Sequence, residues 1–199
     1  EGLAYRIDRE GFMGGTYAGS PFVGLLGSDQ VTTQTLASTK TGFEDFDIVE
    51  ASTAIGSLKT NALGKAAFYF SPTVWAQIRV QKSGDNYVFG QNQIALNTLR
   101  RENGIQPVGE ILGYPVYTTE VLPAYSASAV STKFGVFGNL ELALAWGDRG
   151  PMQIAKSDSA TVGGKSLFRA NQTGVRFTHR HSVAVQLPAG AIALKTAAS

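Results

Sequence analysis

The stretch that decides the fold runs from Gly109 to Arg149 and reads GEILGYPVYTTEVLP (109–123), a short spacer, and KFGVFGNLELALAWGDR (133–149). It contains three apolar runs, and glycine or proline closes each of them. The first run is rich in β-branched and aromatic residues and ends at Pro123, which is typical of a strand. The second, at 133–137, is short and bulky and is followed by a Gly-Asn turn signal. Both runs therefore predict strands.

The third run, LELALAW at 140–146, alternates large apolar residues with Glu141 and two alanines. A period of two predicts a strand with one apolar face. A helix is the alternative, since leucine, glutamate and alanine favour helices. The regular alternation favours the strand.

The order of motifs in this stretch resembles the C-terminal half of a tailed-bacteriophage major capsid protein. The order is Gly-Tyr-Pro-Val, a β-run, Leu-Pro, a spacer, Phe-Gly-x-Phe-Gly-Asn, a second β-run and Gly-Asp-Arg-Gly. Two flanking segments fit it: AFYFSPTVWAQI (67–78) and FRANQTGVRFTHRHSVAVQLPAGAIALK (168–195). The likeness extends over nearly the whole chain and rests on the order of these motifs.

The resemblance implies an α+β fold of the tailed-phage major capsid type, with an axial domain and an elongated peripheral domain. It implies that residues 1–30 are the end of the spine helix and a connecting loop of the peripheral domain. Residues 31–147 would form the axial domain, 148–182 peripheral-domain strands, and 183–199 a return to the axial domain. An N-terminal arm, an extended loop and most of the spine helix are expected to be absent from these 199 residues.

The composition describes a globular protein with few surface charges. Apolar residues make up 43% and charged residues 16%, against about 25% charged in an average domain. This deficit suggests that other protein, including copies of the chain, covers much of the surface. A net charge of +2 is too small for a nucleic-acid-binding stripe. The absence of cysteine excludes disulfides and thiolate metal sites, and no apolar run approaches the ~18 residues of a membrane-spanning helix.

Helix signals occur at three places before the deciding stretch. Residues 1–12 have the pattern of the end of a helix. Thr41-x-x-Glu44 has the spacing of a capping box, and an apolar face from Ile48 to Ala62 follows it at helical spacing. Ser71-Pro72 is an N-cap followed by an N1 proline, which predicts a helix to about Lys82 with Val74, Trp75 and Ile78 inward.

Two glycine-containing segments begin like phosphate-binding loops. In residues 14–28, Ser20-Pro21 stands where a P-loop needs Lys-Ser/Thr. At Gly164-Lys165-Ser166, the leading glycine of the motif falls on Ser159. Both segments are therefore interpreted as structural loops.

His179 and His181 lie on one face of a long strand predicted at 168–182, which should pair with a strand around 152–155 and point Arg180 away from Phe177. A zinc site needs further ligands from elsewhere, so we expect no metal here. The acids Asp45, Asp47 and Glu50 are another conceivable metal or acid/base cluster. Carboxylates in the first turns of a helix complement its dipole without any ligand.

The resemblance implies a structural protein without catalytic residues or cofactors. Its copies would form pentamers and hexamers of a closed icosahedral shell around a phage or prophage DNA genome, touching packaged DNA only non-specifically and no membrane. The shell would assemble in the host bacterial cytoplasm and become the virion capsid. The 199-residue chain alone is expected to be a monomer or a weak ring.

Two alternative functions remain open at this stage. One is an encapsulin-type shell protein that encloses cargo enzyme, which shares the fold. The other is a small β-rich enzyme or carbohydrate-binding module, although no G-x-S-x-G elbow is present. The candidates for structural anchoring or subunit contact are Trp75, Arg100, Arg101, Asp148, Arg149 and Arg180.

Overall fold

A computed structural model describes residues 2–83, 86–87, 106–126 and 129–198. The chain divides into two compact units. The first contains the residues up to Ala145 and those from Val183 onwards, and the second is Trp146–Ser182. The assignment of axial and peripheral domains to these segments stays a prediction.

Helices and strands alternate irregularly along the chain. The helices are α1 (Leu3–Met13), α2 (Ile48–Ser57), α3 (Thr60–Leu63), α4 (Pro72–Ile78) and α5 (Leu140–Ala143). The strands of the first unit's sheet are β1 (Thr32–Thr35), β2 (Ala67–Phe70), β5 (Gly109–Ile111), β6 (Tyr114–Thr118), β7 (Lys133–Gly138) and β14 (Ala191–Lys195). The remaining strands are β3 (Lys82–Ser83), β4 (Asn86–Tyr87), β8 (Leu144–Asp148), β9 (Gln153–Ser157), β10 (Thr161–Val162), β11 (Lys165–Ser166), β12 (Gly174–Thr178) and β13 (His181–Val185).

The first unit is built on a six-stranded mixed sheet in the order β1-β14-β7-β2-β6-β5. The last strand in the chain, β14, lies inside the sheet, parallel to β1 and antiparallel to β7. Strand β2 runs parallel to β6 and antiparallel to β7. The strand predicted at 133–137 is confirmed, and the first apolar run forms β6.

Both faces of this sheet are covered, because its strands alternate between two buried clusters. Phe68 and Phe70 of β2 belong to an aromatic cluster on one face, and Tyr69 packs on the other. The aromatic cluster includes Phe43, Phe46, Phe134 and Phe137, with ring centroids 4.3 Å apart for Phe68 and Phe137. The opposite cluster includes Phe12, Leu25, Val136 and Ala193. Each fully buried large apolar side chain contributes about 1.5–3 kcal/mol.

The segment from β2 to α4 follows its local signals. The Ser71 hydroxyl accepts a hydrogen bond from the Val74 amide at 3.4 Å, and Pro72 is the first helical residue. Val74, Trp75 and Ile78 are buried, as predicted. The helix is shorter than predicted: it ends at Ile78, and a turn at 79–81 replaces its last residues.

The predicted capping box at Thr41 is wrong. A 3₁₀ turn at Phe43–Asp45 comes first, in which the Gly42 amide donates to the Asp45 carboxylate at 2.9 Å. Helix α2 begins only at Ile48, because Asp47 accepts from the amides of Val49 and Glu50 at 3.0 and 3.1 Å. The predicted apolar face from 48 to 62 is divided between two helices, α2 and α3.

The strand predicted for 140–146 is wrong in its first half. Leu140–Ala143 is a helical turn, and the strand β8 begins at Leu144. The Asn139 side chain accepts from the Glu141 amide at 3.1 Å and caps the turn. Ala143 is fully buried, while Leu140 and Leu144 pack on the same cluster. Residues 140, 143 and 144 are at helical i, i+3 and i+4 positions. The alternation of Leu and Ala therefore predicted the wrong secondary structure for 140–143.

Several further expectations need correction. The long strand predicted at 168–182 begins only at Gly174: residues 167–171 form turns, β12 covers 174–178, and a break at 179–180 separates it from β13. Its predicted pairing with the strand near 152–155 is confirmed, since β12 pairs with β9. Arg180 lies beyond β12, so the alternation with Phe177 does not reach it. Gly164-Lys165-Ser166, interpreted from the sequence as a structural loop, belongs to the β10–β11 hairpin, and α1 extends to Met13.

Within the described ranges, no helix has the length and apolarity that crossing a membrane requires.

Candidate subunit-contact surface

The second unit carries an antiparallel ribbon of two strands, β9 and β12. Phe177 lies directly opposite Ile154, and Val175 lies opposite Lys156. Because side chains alternate between the faces of a strand, these four residues share one face. The other face carries mostly small and polar side chains: Gln153, Ala155, Ser157, Gly174, Arg176 and Thr178.

The first of these faces is exposed and, apart from Lys156, apolar. Ile154 is 65% exposed, Phe177 63% and Val175 51%. Among residues 146–182, all of which the structure describes, Leu167 is the one buried apolar side chain. Two-stranded ribbons are marginally stable by themselves in water, and exposed apolar patches mark contact sites. We name Ile154, Val175 and Phe177 the ribbon face.

A row of rings lies beside the ribbon, where β8 ends. The ring of Trp146 stacks on His181, with centroids 4.9 Å apart, and His181 stacks on His179 at 5.5 Å. The Nε2 atom of His179 lies 3.4 Å from an Asp148 carboxylate oxygen. His179, which lies in the break between β12 and β13, is thus next to this carboxylate.

The Asp148 carboxylate is held in its ionised form. The backbone amide of Gly150 donates to it at 3.1 Å, and this bond lowers the pKa of Asp148 below its usual value. Desolvation acts in the opposite direction, and the nearby His179 and His181 lower the pKa further. In the described residues, no group of three or more His, Asp or Glu side chains is placed to hold a metal ion.

The structure brings together three of the predicted contact residues. Asp148, Arg149 and Arg180 meet at the end of β8, where the Arg149 amide donates to the Arg180 carbonyl oxygen at 3.0 Å. Arg149 and Arg180 are both exposed. Arg100 and Arg101 lie outside the described residues.

Trp75 belongs to the core of the first unit. It is only 6% exposed, and its ring packs so closely on Gly109 that no side chain fits there. A direct contact between this ring and another copy is therefore not supported. A structural role for Trp75 stays a prediction.

The ribbon face was not among the residues predicted for contacts. The signal was nevertheless in the sequence, since Val175 and Phe177 share one side of a period-two strand. The sequence does not show that no other element covers this face, because that depends on how distant elements pack.

The polar clusters of the first unit have structural partners. The buried Glu10 carboxylate accepts from the Ser20 hydroxyl at 2.6 Å and from the Tyr17 hydroxyl, and so ties the glycine-rich loop to α1. Lys40 bridges Asp47 at 2.6 Å and Glu50 at 3.2 Å. In both arrangements the carboxylates are bound by donors of the protein itself, which is typical of a structural role.

Comparisons with known proteins relate this chain to capsids. The model of a family described as "Phage capsid family" matches residues 1–196. Among solved structures, the capsid of a native GTA particle computed with C5 symmetry has a TM-score of 0.66 and 18% identity, covering 98% of this chain and 71% of that one. The capsid of an empty GTA particle has a TM-score of 0.65 and 17% identity, covering 98% and 65%.

A chain of Gordonia phage Cozz has a TM-score of 0.61 and 15% identity, covering 99% of this chain and 60% of that one. The chain thus spans between 60 and 71% of the length of these three structures. At such identities the likeness shows the fold. No curated protein matches the chain.

Proposed function

The chain belongs to the phage capsid family, and on that premise we propose that it is a structural subunit whose copies assemble into the shell of a phage particle. The capsid fold shared with the GTA and phage structures supports this role. The family match favours a phage shell over an encapsulin-type shell and over a small β-rich enzyme.

The observation that carries the proposal is the ribbon face. Three large apolar side chains stand on a two-stranded sheet that has no core of its own. Contact with neighbouring copies in a shell would remove this surface from water, at about 25 cal/mol for each Å² buried.

The arrangement of the shell follows from the same premise. Residues 1–30 and 148–182 would belong to the peripheral domain, and residues 31–147 and 183–199 would form the axial domain. Copies would be arranged in rings of five and six around packaged DNA, and fivefold symmetry in the GTA capsid structures supports the ring of five. Assembly would take place in the host bacterial cytoplasm.

Substitution in the ribbon face tests the proposal. Phe177→Ser and Ile154→Ser, made in the protein that its gene encodes, should reduce shell formation at least tenfold, as measured by light scattering and electron microscopy. Circular dichroism of the unassembled subunit should be unchanged, because both side chains are already exposed. Val162→Ser is the matched control: Val162 is 62% exposed in the same unit but lies on β10.

Shells that form normally from both ribbon variants would contradict a contact role for this face. A gene product that forms no particles under any condition, although it is folded, would contradict the proposed function itself. For the 199-residue chain alone, light scattering should show a monomer or a loose ring. Contacts that it makes alone belong to the weak class below ~1,200 Å².

A further inference from the structure

A second feature of the Trp146–Ser182 unit is a small cavity between the ends of its strands. The cavity has a volume of about 210 Å³ and is lined by Arg149, Gly150, Pro151, Gln153, Thr178 and Arg180. Two of its six lining residues are arginines, and no acidic residue lines it. The backbone hydrogen bond from the Arg149 amide to the Arg180 carbonyl oxygen places the two residues next to each other.

Neither arginine is neutralised by the described part of the chain. Asp148, the adjacent acid, has its close contacts with His179 and the Gly150 amide. No carboxylate among the described residues forms an ion pair with Arg149 or Arg180. Two like charges beside one cavity repel each other, so an anion between them is favoured.

The other lining residues suit an oxyanion. Gln153 and Thr178 lie directly opposite each other in the ribbon register, and their side chains carry an amide N–H and a hydroxyl as donors. Guanidinium groups present paired donors that match the two oxygens of a carboxylate. The site therefore has both the charge and the donors for a carboxylate.

From this geometry we propose that the cavity is a carboxylate-binding pocket, filled by an Asp or Glu side chain of a second copy of this chain. The proposal deepens the proposed shell function and rests on it for the identity of the partner. Arg149 and Arg180 hold the carboxylate, and Gln153 and Thr178 complete its hydrogen bonds.

Charge complementarity identifies a second copy as the partner. Residues 146–182 carry six basic and two acidic side chains, a balance of +4, while the other 162 residues carry 11 basic and 13 acidic, a balance of −2. The first unit exposes Asp8, Asp29, Glu110 and Glu120 without an ion pair among the described residues. The apolar ribbon face on the same unit is typical of a protein contact and is not needed for nucleic acid.

The pocket is tested first in the unassembled 199-residue chain, by NMR of the arginine side-chain Nε–H groups. Glutarate, whose carboxylates match that of a glutamate side chain, is titrated at constant ionic strength. We expect saturable shifts at Arg149 and Arg180, with a Kd on the order of 10 mM. Arg169 and Arg176, which belong to the same unit but do not line the cavity, should not shift.

The Arg180→Gln variant should weaken glutarate binding at Arg149 at least fivefold, and Lys165→Gln, which removes the same charge outside the cavity, should not. Absence of a saturable shift, or equal shifts at all arginines, overturns the pocket. Tighter binding of a DNA duplex at Arg149 and Arg180 in 0.15 M salt, with no response to glutarate, would make phosphate the ligand and overturn the carboxylate assignment.

Assembly tests the partner. In the full gene product, Arg180→Glu should reduce shell formation at least tenfold, and a reversal of one exposed acid (Asp8→Arg, Asp29→Arg, Glu110→Arg or Glu120→Arg) should restore it. Normal shells from Arg180→Glu, or rescue by none of the four, overturn the second-copy assignment. If the protein binds glutarate but forms no shells, the proposed function is contradicted, whereas the proposal of a carboxylate pocket stands.

Discussion

At the scale of the residue, Asp47 determines where α2 begins. Its carboxylate accepts two backbone amides at the helix start and lies 2.6 Å from Lys40 Nζ. Burial raises the pKa of Asp47, but the bonds from Lys40 and from the Glu50 and Val49 amides outweigh it, and the pKa lies below its usual value. The folded state therefore prefers the ionised carboxylate.

Replacement of Asp47 by alanine should lower the free energy of unfolding by about 1–2 kcal/mol at pH 7, because a cap is lost. A carboxyl with a depressed pKa stabilises above its unfolded pKa, ~3.9, and loses this effect as pH falls through the folded value. The difference between wild type and Asp47→Ala should therefore shrink below about pH 4. Urea unfolding at several pH values measures it.

Asp29→Ala is the control for this series, since Asp29 is exposed and caps no helix. A constant difference between wild type and Asp47→Ala from pH 7 to pH 3 would show that the charge of Asp47 is irrelevant. Asp47→Asn should keep the cap at pH 7, because asparagine caps about as well, and lose only the contribution of the ion pair with Lys40.

The two histidines are predicted to bind no metal. His179 faces Asp148, and its other neighbour is the ring of His181. Because a ligand that binds only the folded state raises the melting temperature, zinc or nickel should leave that temperature nearly unchanged. A dose-dependent rise of several degrees that disappears in His179→Ala would overturn this prediction.

At the scale of the element, β7 uses a glycine to admit an aromatic ring. A methyl group added at Gly135 would lie 2.6 Å from the Phe70 ring. That ring is fully buried against Phe46 and Phe134, with centroids 5.5 and 6.2 Å away. The Phe70 ring therefore cannot shift to make room for the added methyl group.

Gly135→Ala should destabilise the protein by about 1–3 kcal/mol through overpacking. The measurement is the urea midpoint at an unchanged m value. Gly56→Ala is the matched control: it makes the same substitution in α2, where nothing lies within 4 Å of the added methyl group. This control should be neutral or up to about 1 kcal/mol more stable, and equal effects of both changes would refute the packing argument.

At the scale of the whole molecule, the two units differ in what stabilises them. Strands β7 and β14 lie inside a sheet that is covered on both faces. The Trp146–Ser182 unit buries one large apolar side chain, Leu167. Local opening should therefore cost much less free energy in this unit than in the sheet.

Hydrogen exchange of the unassembled chain should show this difference. Amides of β9 and β12 should exchange about 100-fold faster than those of β7 and β14. In assembled shells, protection should increase in β9 and β12, because neighbouring copies cover the ribbon. Equal protection in both units before assembly would mean that the second unit is stable without neighbours.

The sequence alone determined those elements whose signals are local. Ser71-Pro72 starts α4, and the apolar runs at 133–137 and 191–195 form strands. Glycine and proline end the runs because they restrict the backbone wherever they occur. The order of the motifs also indicated the capsid family, because this order can be read from the sequence without knowledge of distances in the fold.

Only the tertiary structure decided how these elements are arranged. It placed β14 between β1 and β7, made 140–143 a helical turn, and divided the strand at 168–182 so that His179 meets Asp148. Each of these depends on partners distant in sequence, and long-range packing overrides local propensity. The uncovered ribbon face and the arginine-lined cavity have the same origin, because exposure is a property of what packs nearby.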